Sequence, residues 1–163
     1  MERAILNWVP ENWEKGVMST HSWCQQIELD RYSEEFKQLQ FEIRIALKDN
    51  NKHIEHIQRN QSVYDIGQFL IRGQLLLTLN PGTIYYQVRR YIKIRSNFLT
   101  MALNYNVDHR RCGLHSVVFL SEIPNLTSDD ILLVIQVITT TPHSTYITPS
   151  NSSDYYIEYI VRF

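Results

Sequence analysis

Thr83-Ile84-Tyr85-Tyr86-Gln87-Val88-Arg89-Arg90-Tyr91-Ile92-Lys93-Ile94-Arg95 admits two foldings, and the choice between them decides the architecture. Ile84, Val88, Tyr91 and Ile92, continued by Leu99 and Leu103, follow the spacing of one helical face. Tyr86, Arg89, Arg90, Lys93 and Asn97 fall on another. That pattern predicts a helix over Thr83–Asn104 that turns a cationic face outward. The competing reading is a strand at Tyr91–Arg95, where apolar and polar residues alternate with period two. The helix is preferred because its pattern spans the longest periodic segment of the chain.

This stretch sits inside an acid-free centre. Ile66 to Val107 contains no Asp or Glu and carries Arg72, Arg89, Arg90, Lys93 and Arg95. Upstream of the Asn80-Pro81-Gly82 turn, Leu75–Leu79 is short and bounded by Gly73, which predicts a buried strand. Ser62 reads as the N-cap of a helix whose inward face is Val63, Ile66, Phe69 and Leu70, with Gly73 as its C-cap.

Further upstream, Ser33-Glu34-Glu35 opens a short helical turn. Phe41 to Lys48 alternates with period two and predicts a half-buried strand with Phe41, Ile43, Ile45 and Leu47 inward. His53–Ile57 reads as a short strand or a helical turn. Downstream, Ser116–Leu120, Ile131–Ile138 and Tyr155–Val161 read as three strands. They are joined by Glu122–Asp130 and by Thr139–Asp154, a long Thr, Ser and Pro segment expected to be mobile or partner-binding. Helices bunched before antiparallel strands predict an α+β fold, a mostly antiparallel sheet packed with two main helices in a single compact domain.

At 163 residues, one domain is the default. The expected organisation is an arm over residues 1–30 and a globular domain over residues 31–163. The arm holds Trp8, Trp13 and Trp23, and its set Ile5, Leu6, Trp8, Val9 and Trp13 either covers the chain's own core or docks on a neighbouring subunit. The opening Met1–Pro10 has no long apolar core and predicts no signal peptide. Two cysteines, Cys24 and Cys112, make no disulfide framework and point to a reducing compartment.

The net charge of −1 conceals an asymmetry. Residues 1–65 hold eight basic and eleven acidic residues, residues 66–111 seven and one, and residues 112–163 one and five. Either the middle segment forms a basic patch of Arg72, Arg89, Arg90, Lys93, Arg95, Arg110 and Arg111, or the three segments interleave and the asymmetry dissolves. A patch rich in Arg would suit bidentate contacts to phosphate on a membrane surface or a nucleic acid.

Chemistry is sparse. His109, Cys112 and His115 match no standard zinc spacing and lack a fourth ligand, and no oxyanion or third-residue signature makes Cys112 a nucleophile. No phosphate-binding glycine loop or hydrolase motif occurs. The chain is therefore expected to be no enzyme, with no catalytic residue, metal, cofactor or small-molecule substrate.

From Phe41 to Phe163 the order of elements resembles the matrix proteins of rhabdoviruses. The strand Phe41–Lys48 followed by the capped helix Ser62–Arg72, Ile84–Tyr91, which looks like the family's second helix with its aromatic, aliphatic and paired basic residues, and Ser121-Glu122-Ile123-Pro124 with Ser128-Asp129-Asp130 before Ile131–Ile138 carry the likeness. Leu75–Asn80 with Arg89, Arg90 and Tyr91 is similar to matrix proteins of the related bornaviruses. The Lys-rich N-terminal tail and the Pro-Pro-x-Tyr motif of the animal viruses are missing, which points to a plant-infecting or divergent member.

The resemblance implies a structural protein that self-associates, condenses the viral nucleocapsid and binds an anionic membrane surface during virion assembly and budding. It would sit in the virion, in host cytoplasm and on the inner face of host membranes. It further implies an extended docking segment, for which Ile5–Trp13 is the first candidate and Thr139–Asp154 the second. The alternative is a small viral RNA-binding protein such as a suppressor of host defence.

Overall fold

A computed structural model describes residues 3–4, 24–48, 51–107, 114 and 116–163. Strands β1 (Arg3–Ala4), β2 (Cys24–Glu28), β3 (His56–Ser62), β4 (Tyr86–Arg95), β5 (Phe119–Leu120), β6 (Asp130–Thr139), β7 (Tyr146–Ile147) and β8 (Tyr155–Arg162) join helices α1 (Glu34–Ala46), α2 (Val63–Leu79) and α3 (Leu99–Tyr105). The strands form one antiparallel sheet in the order β2-β3-β8-β6-β4-β5-β7, with β1 paired to β4. The α+β fold, with an antiparallel sheet and two main helices in one domain, is the one expected. Several of its elements are not.

The opening stretch is a strand, not a helix. β4 pairs with β6 along its full length, from Tyr86 opposite Thr139 to Arg95 opposite Asp130. It is central and covered on both faces, so its apolar residues do not alternate cleanly and imitate helical spacing. Val88, Ile92 and Ile94 enter one core cluster with Ala102 and Val107, on the α3 side. Tyr91 enters a second, with Phe36, Leu39 and Ile43 of α1. The correct signal was the β-branched and aromatic content of Val88, Tyr91, Ile92 and Ile94.

Phe41–Lys48 is the converse error. Residues 41–46 are the end of α1, whose cap Ser33 accepts a hydrogen bond from the Phe36 amide and whose first turn carries Glu34 and Glu35, while Leu47 is its extended C-cap. Phe36, Leu39 and Ile43 face the sheet. Ile43 and Leu47 are four apart, a spacing that suits both periods. Phe41 and Ile45, expected inward, are exposed.

α2 begins at Ser62 as expected, with the Ser62 hydroxyl accepting from the Asp65 amide. It does not stop at Gly73, which is buried inside the helix, and it continues through Leu75–Leu79. No strand forms there. Pro81 has no amide proton and helps close the helix after Asn80. Ile66 and Phe69 pack on Ile138 and Tyr156 in a third cluster. α1 and α2 thus cover one face of the sheet and α3 lies on the other.

The loop Thr139–Asp154 is docked. It contributes β7, which pairs with β5, and Arg90 donates to the Pro142 and Ser144 carbonyls within it. The set Ile5, Leu6, Trp8, Val9 and Trp13 lies outside the described residues. Next to it, Arg3–Ala4 lies on β4, opposite Gln87 and Tyr86.

Phe36 and Phe41 sit on opposite sides of one helix. Phe36→Ala should cost about 3–5 kcal/mol in chemical denaturation. Phe41→Ala should stay within about 0.5 kcal/mol. Equal losses at both positions would restore the strand reading of this segment.

Candidate functional site

Of the seven basic residues proposed as one patch, Arg72, Arg89, Arg90, Lys93 and Arg95 are described, and three of these five, Arg72, Arg89 and Arg90, are engaged within the chain. Arg89 lies on the helix-covered face of the sheet. Its Nε donates to Glu158 Oε1 at 3.0 Å, and its Nη1 donates to Glu42 of α1. Burial pulls the Arg89 pKa down, but the carboxylates of Glu158 and Glu42 outweigh it and leave the guanidinium above its ordinary value. Its guanidinium also lies 5.8 Å from the Tyr159 ring centre. Glu158 can reach Arg89 because it is the extra residue of a bulge where the β6–β8 register shifts after Val134.

Glu158 also accepts from Gln136, whose own Oε1 accepts from buried Gln87. Nearby, Tyr91 is pushed up to about 12 by burial and by Glu42, against the pull of Arg89, so it stays a neutral phenol. A second pair repeats the pattern: Arg59 lies 3.4 Å from Glu35 of α1, which also accepts from the Tyr159 hydroxyl at 2.6 Å.

The other members of the patch are scattered. Arg72 pairs with buried Asp154 at 2.8 Å, on the wall of a cleft of about 510 Å³ lined by Tyr85, Thr139, Thr141 and Ser150. Arg90 holds the β6–β8 loop. Lys93 and Arg95 remain exposed, and Lys93 donates to the Asn125 carbonyl. Arg110 and Arg111 lie outside the described residues, as do His109, Cys112 and His115. Glu42, Arg89 and Glu158 come from the acidic first, basic middle and acidic last segments, so the charge asymmetry largely dissolves through interleaving.

Those ion pairs leave a surface that sequence reading missed. α1 points two acids, Glu35 and Glu42, at Arg59 and Arg89 of the sheet. Its basic residues Lys37 and Arg44 are exposed, as is Lys48 just beyond the helix end. Between them stand Phe41, 65% exposed, and Ile45, 71% exposed. Lys37, Phe41, Arg44 and Ile45 share one stripe of α1, and exposed Lys48 lies two residues beyond the helix end. Lys37 and Lys48 meet exposed Glu34 and Glu122 at 3.8 and 3.3 Å, pairs too solvated to withhold either cation from a partner. The available signal was the Ser33 cap followed by Glu35 and Glu42, seven apart, which would have set the helix and the direction of its acids.

Among the described residues, no group of three or more His, Cys, Asp or Glu could hold a metal ion, and no helix is long and apolar enough to cross a membrane. A comparison with family models and with curated proteins returns no match.

Arg89 is expected to act through stability. Arg89→Met strands two carboxylates and should cost about 3 kcal/mol. Lys93→Glu and Arg95→Glu should change stability by about 0.5 kcal/mol or less. Thermal denaturation of the three variants checks this, and an Arg89→Met protein as stable as its parent would contradict it.

Proposed function

We propose that the chain is a viral matrix-type structural protein. It works through self-association, nucleocapsid contact and peripheral binding to an anionic membrane, without catalysis. The observation that carries the membrane part is the outer stripe of α1. Exposed aromatic and aliphatic side chains flanked by cations are the composition of a helix lying in a lipid interface. Phe41 and Ile45 would enter the acyl boundary, while Lys37, Arg44 and Lys48 stay at the level of the phosphates. Among the described members of the sequence-derived patch, Lys93 and Arg95 remain exposed and would add to the attraction. The resemblance to rhabdovirus matrix proteins that suggested this reading now rests on the capped start of α2 and on β6, because residues 41–46 are helical and residues 86–91 are strand.

The stripe also separates lipid from RNA as partner. RNA would need the cations alone, with aromatic stacking at most from Phe41. A membrane uses the cations together with Ile45, an aliphatic residue with no role in stacking.

Flotation with vesicles containing phosphatidylserine tests this. Arg44→Gln with Lys48→Gln should weaken binding about 30-fold, from ~1 kcal/mol per cation. Phe41→Ser with Ile45→Ser should weaken it at least as much, from ~1.5 kcal/mol or more for each apolar side chain. Undiminished binding by both double variants would exclude this surface. Salt-dependent binding to naked RNA without flotation would favour the RNA-binding alternative.

A further inference from the structure

We infer that the cleft between α2 and the β6–β8 loop holds the phosphate monoester of a small hydroxylated molecule, through the open end of the Arg72 guanidinium. The site is separate from the lipid contact of α1 and goes beyond it. The cleft has a volume of about 510 Å³, ordinary for a small-ligand site.

Arg72 lines the cleft, with its side chain 24% exposed. Its Nε donates to Asp154 Oδ1 at 2.8 Å. Among the described residues, neither of its Nη groups donates to anything. One corner of the guanidinium is thus fixed, and the end that carries both Nη groups is left as a two-pronged donor. That fork matches two oxygens of an anionic group. Asp154 is itself held in place. Its amide donates to the Asn151 carbonyl, and its own carbonyl accepts from the Ile138 amide. The fork is therefore set before a ligand arrives, which lowers the ordering cost of binding.

The side chains around the fork favour a phosphate over a carboxylate. Both Asp154 oxygens are engaged, Oδ1 by Arg72 and Oδ2 by the Ser150 hydroxyl. Thr140 and Thr148 are exposed at the cleft, and among the described residues their hydroxyls bond to nothing. The unused capacity is a cationic fork and two hydroxyls. A carboxylate has two oxygens, and the fork takes both. A phosphate monoester has a further oxygen for one threonine, and a hydroxylated body has partners for the other. Tyr146, 61% exposed, also lines the cleft and offers a ring face. A nucleotide would stack its base there. A sugar phosphate would leave the ring unused.

Proton–nitrogen correlation spectra of the full chain test this by titration with adenosine monophosphate and ribose phosphate, beside adenosine and ribose. At least one phosphorylated probe should bind with Kd below ~1 mM, shifting the amides of Thr140, Thr141 and Thr148. Its phosphate-free counterpart should bind at least about tenfold more weakly. Arg72→Lys keeps a cation for Asp154 but lacks the fork, and should weaken binding at least about tenfold. Tyr146→Ser should weaken adenosine monophosphate if the ligand is a nucleotide, and neither probe if it is a sugar phosphate. Four results would overturn the inference. Neither phosphorylated probe binds, or the phosphate-free compounds bind as tightly. The shifted amides lie away from the cleft, or a folded Arg72→Lys protein binds at wild-type strength. The first three come from the wild-type chain alone, so a misfolded Arg72→Lys protein does not shield the inference.

Discussion

A guanidinium held between two carboxylates beneath a helix organises this fold. Arg89 lies on the covered face of the central strand β4, between the core cluster under α1 and the one under α2. A cation there is tolerable only when paired and hydrogen-bonded. Glu158 meets it from β8, through a bulge that re-aims its side chain, and Glu42 meets it from α1. The interaction therefore joins the middle of the sheet, its β8 neighbour and the helix packed across them. Gln136 and Gln87 extend it along the sheet as a row of buried amides.

The orientation of α1 follows from this requirement. Glu42 and Glu35, seven residues apart, must both face the sheet to reach Arg89 and Arg59. Phe36, Leu39 and Ile43 share that inward side. Lys37, Phe41, Arg44 and Ile45 are left on the other, with Lys48 just beyond the helix end. α2 shows the opposite result. Its only cation is drawn to Asp154, and its outer face is neutral and apolar. Two helices on the same side of one sheet thus present surfaces of different chemistry, one apolar and cationic and one apolar and neutral.

The caps were the most legible part of the sequence. Ser33 and Ser62 each place a side-chain oxygen where a helix needs one, and both helices begin there. β6 and β8 were legible because long apolar, β-branched runs have few other uses. The central strand was not legible, because a strand covered on both faces loses its period-two signature, and residues 84, 88, 91 and 92 then match a helix by coincidence. α1 was misread for a related reason. Positions 43 and 47 are inward in either structure, and the exposed Phe41 and Ile45 completed a false alternation. Exposed apolar residues are where a burial-based reading fails. The basic patch was overread because Arg in the sequence signals an ion-pair donor as readily as a phosphate ligand. Which role applies depends on Glu42, Glu158 and Asp154, residues distant in the chain.

The proposal that the outer stripe of helix α1 meets an anionic bilayer predicts a helical pattern of immersion. Spin labels placed singly at each position of α1 from 34 to 46 would report immersion depth on phosphatidylserine vesicles. Depth should oscillate with a period of about 3.6 residues, with its maxima at 41 and 45. A period of two, or no immersion at any position, would contradict it.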